Sequence, residues 1–221
     1  MREKNLQRSE VRRSFLSRLG IGALGAATLA RLGSASTPLD TSWRPARHTQ
    51  DDWLDEIPGV HRVVFDTTTA AWMALALHFG VIYLATNRNA YKLQDSDSAV
   101  VIIVRHKCTV FGYNDEMWAK YSQHFSEYAE FIDPQTKETP KVNLYGNMGI
   151  DMLVKRGVHF AVCQTAAETV AWVIADKSGV GLDGVMKELC ANLIPNARWV
   201  PAGIVAVNRA QERRYSFVSA R

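Results

Sequence analysis

The sequence predicts an α/β fold, a single-domain parallel sheet of about five strands with helices on both faces. Two observations carry that expectation. From His61 onward, short β-branched and aromatic runs alternate with helix-length stretches, a spacing that requires crossover connections and therefore parallel strands. One of the runs, Ala99–Val104, is apolar at every position. A strand with layers on both faces reads this way, because its alternate side chains enter opposite layers.

Each element has its own signal. Val63-Val64-Phe65 forms the first strand and ends at Asp66. Thr69 then suits the N-cap of a helix from Ala70 to about Asn87, with Trp72, Leu75, Phe79, Ile82 and Leu84 among its apolar positions. That helix is apolar on nearly all sides, which raises a membrane-spanning alternative. The run Ala70–Ala85 is 16 residues long and contains His78 and Gly80. A bilayer needs roughly 20, so burial against core and subunit interface is expected instead. Ala99–Val104 is the second strand and leads into Arg105-His106-Lys107-Cys108. Asn114–Tyr121 reads as a turn or two of helix anchored by Trp118, and the polar stretch 122–145 as a loop insertion. Gly149–Arg156 is helical and closes on Gly157. Val158–Val162 is the third strand, followed at once by Cys163-Gln164-Thr165 and a helix over Ala166–Ala175. A helix over Leu182–Leu193, a strand at Arg198–Val200, a helix from Gly203 through Gln211 and a strand at Tyr215–Val218 complete the order.

The first 60 residues follow another plan. Arg12-Arg13 precede Ser14-Phe15-Leu16, a 12-residue apolar core (Leu19–Ala30) and the small residues Gly33-Ser34-Ala35. A basic segment, a short apolar core and a small-residue cleavage site make a cleavable export signal. Paired arginines before Phe-Leu point to the twin-arginine route, with residues 1–35 removed and a periplasmic destination. Val11 and Ser17 stand where that pattern usually has Ser and Lys, and a general-secretion signal or an uncleaved arm are the alternatives. Residues 36–60, with Pro38, Pro45 and Pro58, read as an extended arm or linker before a domain over 61–221.

Charge closes one class of function. The chain has 26 basic and 22 acidic residues, of which seven and two lie within residues 1–35. The remainder carries a net charge near −1, too little positive field to condense on nucleic acid. The apolar core of the signal is too short to remain as a stable membrane anchor. No phosphate-loop, dinucleotide or nucleophile-elbow motif is present.

In an open parallel sheet, chemistry gathers beyond the carboxyl ends of the strands. Four points lie there: Asp66, Arg105-His106-Cys108, Cys163 and the Pro201-Ala202-Gly203 turn. Cys163 has the clearest physics, since a thiol between a strand end and a helix start meets unpaired N–H groups and the positive end of the helix dipole, both of which favour the thiolate. A small residue buried at a strand end is the plain alternative. Arg105 and His106 are candidates for a cation and a base beside that thiol, or for solvated charges at a strand terminus. His106, Cys108, Cys163, His159 and His61 are the candidate metal ligands, but no paired ligand spacing appears, and neither metal nor cofactor is expected. A Cys108–Cys163 disulfide requires Cα atoms within about 7 Å. Cys190 reads as core beside Met186, Leu189 and Leu193.

Arg105-His106, the run Arg156-Gly157-Val158-His159-Phe160-Ala161-Val162-Cys163, and Asn196–Gly203 continuing through Gln211 resemble the DsrE/DsrF-like family, especially its exported branch. The likeness covers residues 61–219. It implies a small flavodoxin-like sheet, assembly as a homo-oligomer (trimer or hexamer), and sulfur carried as a persulfide on the cysteine at position 163; from their place at the strand end, Arg105 or His106 is the candidate for tuning that thiol. The partners so implied are a sulfur-donor protein or small sulfur compound, besides the twin-arginine export machinery. A non-catalytic binding module for a small ligand, metal or haem, with Cys163 structural, is the alternative from another class.

Overall fold

Seven consecutive buried residues make Ser98–Val104 (β2) the centre of the sheet in the computed structural model, which describes residues 44–221. On one side β2 pairs with β1 (His61–Thr67), and β1 with β5 (Ser216–Ser219). On the other it pairs with β3 (His159–Cys163), and β3 with β4 (Ala197–Val200). All pairings are parallel, giving the order β4-β3-β2-β1-β5.

The handedness of crossovers then places the helices. Steps β1 to β2, β2 to β3 and β3 to β4 all move in one direction, so right-handed connections put their helices on one face. These helices are α2 (Ala70–Tyr91), α3 (Asp115–Ala129), α4 (Asp151–Lys155), α5 (Gln164–Ser178) and α6 (Leu182–Ala191). Their core takes Val63, Phe65, Val100, Ile102, Val104 and Phe160 from the sheet. The last connection returns across the whole sheet, so α7 (Gly203–Glu212) lies on the opposite face. There Val64, Val101, Ile103, Ala161 and Val200 pack with Ala206, Val207 and Ala210. The parallel α/β sheet with helices on both faces is the architecture the alternation predicts.

One helix cannot cover five strands, and the stretch read as an arm supplies the rest of the cover. Residues 49–51 form a single 3-10 turn, and α1 (Trp53–Glu56) follows. Trp53, Leu54 and Ile57 are buried in the α7-side core. The wholly buried Arg213 side chain ties this segment down, reaching Asp52 at 3.1 Å and His48 O at 3.1 Å. From Pro45 onward the chain is therefore part of the domain. The export-signal expectation for residues 1–35 lies outside the described residues.

Other boundaries shift for local reasons. Thr69 does cap α2, accepting from Trp72 N at 3.3 Å. The helix continues to Tyr91, six residues beyond the apolar run, so at 22 residues it is long and apolar enough to cross a membrane. Its Met73, Ala76, Leu77, Gly80 and Leu84 are buried in the domain. The loop insertion begins at 130 rather than 122, because α3 runs on through a kink at Tyr121 to bury Phe125 and Ala129. The remaining loop is stitched down by Asn143, whose Nδ2 donates to Phe111 O and Tyr113 O, each at 2.9 Å. Gly157, with φ of 83°, ends α4 as expected. Helix α6 stops at Ala191, and Leu193 instead bridges to Tyr113.

Candidate functional site

A parallel sheet opens a crevice where neighbouring strands send their following helices to opposite faces. Here β3 leads to α5 on one face and β4 leads to α7 on the other. The switch point therefore lies between the carboxyl ends of β3 and β4. Cys163 is both the last residue of β3 and the N-cap of α5, with extended φ and ψ of −73° and 113°. Across the crevice stands the turn Pro201-Ala202 into α7. Thr165 clips the two sides together, donating from Oγ1 (2.9 Å) and from its amide (3.3 Å) to Pro201 O. One of the first-turn donors of α5 is thus already spent.

The register brings Arg105 to this thiol. Val104 pairs with Val162 as the last pair of the β2–β3 ladder, and Arg105 and Cys163 each follow by one residue. Adjacent strands lie about 4.8 Å apart. Asp66, at the end of β1, grips Arg105 side-on: Nε donates to Oδ1 and Nη2 to Oδ2, both at 2.7 Å. Asp66 is 9% exposed. These bonds raise the pKa of the guanidinium; burial acts against them, and the charges of Asp66 and Cys163 add to the rise. Asp66, Arg105 and Cys163 therefore lie at the ends of three neighbouring strands, with Asp66 opposite Ile103 and reached by the Arg105 side chain. Gly203, the first residue of α7, closes over Arg105. A Cβ there would stand 2.6 Å from Arg105 Cβ and 2.9 Å from its Cδ, which only a glycine avoids.

The other cysteines sit in different surroundings. Cys108 is fully buried, and desolvation pushes its thiol up to about 12. Its Sγ lies 3.1 Å from Thr67 Oγ1, which is also 2.7 Å from Ile103 O. Cys190, expected in the core, is exposed: it follows the buried Leu189 by one residue and so turns about 100° away from that face. All three thiols are free. Burial also raises the pKa of Tyr113 and Tyr128, and the charge of Cys163 adds to both shifts. Tyr113 OH is buried without a hydrogen-bond partner.

Of the three site residues the sequence suggested, Arg105 and Cys163 come together. His106 is exposed at the start of a 3-10 turn, with φ of 54°. The candidate metal ligands are split between the two ends of the sheet. His61 and His159 begin their strands, whereas Cys163 ends β3. Four residues of strand span about 13 Å, far beyond a shared coordination sphere. Among the described residues no group of three or more His, Cys, Asp or Glu could hold a metal ion. A groove of about 530 Å³ lies elsewhere, bordered by Phe65, Phe79, Ile82, Arg214 and Val218. None of its lining residues is a cysteine.

The chain matches no protein-family model and no curated protein. Among solved structures it is similar to a protein of unknown function from Methanobacterium thermoautotrophicum, with 13% identity and a TM-score of 0.36. The likeness covers 72% of this chain and 98% of that one.

Proposed function

We propose that this chain is an exported thiol protein that accepts sulfane sulfur on Cys163 and carries it as a persulfide. One observation supports this most. Of the three free cysteines, Cys163 alone stands at the switch point, occupies the N-cap position of a helix and, by its charge, adds to the raised pKa of Arg105. A helix N-terminus and a fixed cation both attract anionic sulfur donors.

The transfer balances without an external oxidant. The Cys163 thiol gives its proton to solvent, and the thiolate attacks the terminal sulfane sulfur of a polysulfide. A bond from Sγ to that sulfur forms, the adjoining S–S bond of the donor breaks, and the shortened polysulfide leaves with the electron pair. An acceptor thiolate removes the outer sulfur by the reverse exchange.

Intact mass after incubation of the chain with polysulfide tests the proposal. Persulfide formation adds about 32 Da per sulfur, reversed by a reducing thiol. In a Cys190→Ser background, which removes the exposed thiol, the increment is expected where Cys163 is present and absent in Cys163→Ser. An increment that persists in Cys163→Ser contradicts the proposal. The burial of Cys163, at 7% exposure, favours a second reading, a non-catalytic module with a structural thiol. That reading gains support if the folded chain takes up no sulfur and Cys163 resists alkylation. Export by the twin-arginine route and assembly as a homo-oligomer belong to the same proposal. Exposed Ile82, Met148 and Met152 offer apolar surface for such an assembly.

A further inference from the structure

Arginine carries five N–H donors in a rigid fork. Asp66 takes one from Nε and one from Nη2 of Arg105. The remaining three have no hydrogen-bond partner among the described residues, and a quarter of the Arg105 side chain is exposed. A cation gripped on one edge and open on the other is built to receive an anion on the open edge. Its placement is enforced twice. The carboxylate, itself nearly buried, holds the fork from β1, and the Arg105 stem lies where a Cβ at Gly203 would clash with it. Cys163 ends the strand on the other side of β2, one residue past the last paired residues Val104 and Val162, and its charge adds to the raised pKa of Arg105.

We infer that Asp66 and Gly203 are positioning residues that aim the open edge of Arg105 beside Cys163, and that this edge selects sulfur donors with an anionic terminus. The inference rests on Cys163 being the sulfur acceptor. It adds which residues orient the cation, and it makes the charge of the donor the basis of selection. A neutral donor of equal reactivity finds no partner for the three open N–H groups.

Competing alkylation reads this directly. Iodoacetate and iodoacetamide attack the same thiolate, so the ratio of their rates at Cys163 cancels the thiolate fraction and reports only preference for an anion. Rates are measured by peptide mapping in a Cys190→Ser background, with folding checked by circular dichroism. The ratio in the native site is expected to exceed that of N-acetylcysteine by about tenfold, as a charge a few ångströms away in a partly screened site produces. Arg105→Gln returns it to the value of the small thiol, and Arg105→Lys retains part of it. Asp66→Asn decides the positioning role, because two ideas predict opposite signs. Removing a mere nearby negative charge raises the preference for iodoacetate, whereas releasing the fork lowers it. A fall supports the inference; a rise or no change overturns it, and so does a native ratio equal to that of N-acetylcysteine. Gly203→Ala, where it folds, lowers the ratio in the same way. If Cys163 takes up sulfur but the ratio ignores Arg105, the inference fails alone. If Cys163 takes up no sulfur and neither reagent labels it, the acceptor proposal itself fails.

Discussion

Three free thiols in one small domain differ because their surroundings differ. Cys108 has no solvent contact and a pKa raised to about 12, so it is neutral and sealed at physiological pH. It is expected to resist alkylation in the folded protein at pH near 8 and to react after unfolding, whereas Cys190, which is exposed, reacts in both states. Peptide mapping before and after denaturant checks this; rapid native labelling of Cys108 contradicts its burial. Gly203→Ala makes a second prediction at this scale. The added methyl must displace Arg105, at a cost of about 1–3 kcal/mol by the usual penalty for overpacking, read from urea unfolding. The place of Cys163 was legible because an apolar run passes without a break into Gln164-Thr165 and a helical stretch. Arg105 was legible as a candidate cation beside it, but the carboxylate that holds Arg105 was not. Asp66 lies 39 residues before Arg105, and only the strand register, which sequence pattern alone does not specify across a crossover, brings them to a 2.7 Å pair. Cys190 was misplaced because apolar neighbours in sequence do not fix which side of a helix a residue occupies.

Elements announced themselves where their signals were local. Thr69 was recognisable as a cap because it directly precedes the apolar stretch, and Thr69→Ala is expected to cost about 1 kcal/mol of stability through loss of the bond from Trp72 N. An unchanged urea midpoint contradicts that role. The strands were legible for a similar reason: β-branched runs between helices have few other uses. The C-terminal half of α3 was missed since Ser122, Gln123, His124 and Glu127 hide the spaced pair Phe125 and Ala129, which only packing against the sheet reveals. Helix α1 was missed because four residues carry no periodicity. What makes it an element is the uncovered face of the sheet beneath Trp53, Leu54 and Ile57.

At the scale of the whole molecule, one return connection produces the site. Because β5 is added beside β1 while β1 to β4 advance the other way, α7 crosses to the opposite face and the switch point falls at Cys163. The same compactness shapes the response to pH. Burial raises Cys108 from the usual 9.0, and Tyr145 and Tyr215 from the usual 10.0, each to about 12. Raised folded values stabilise the protein below the unfolded ones, and that contribution is lost as pH climbs from about 9 towards 12. Asp95 works on the acid side: hydrogen bonds from Arg156 lower its pKa from 3.8, so its contribution is present above that value and lost as pH falls below it. Urea midpoints measured from pH 3 to 11 are expected to form a plateau with both flanks falling; a midpoint still rising above pH 10 contradicts the burial of these groups.

The central claim is that Cys163 is the sulfur acceptor, and site-resolved mass mapping tests it most directly. The folded full chain carrying Cys190→Ser is treated with polysulfide, digested and mapped, then treated with a small acceptor thiol and mapped again. The account predicts one added sulfur, about 32 Da, on the peptide containing Cys163, absent from the Cys108 peptide and removed by the acceptor. Sulfur on the Cys108 peptide, or a Cys163 peptide of unchanged mass, would contradict it.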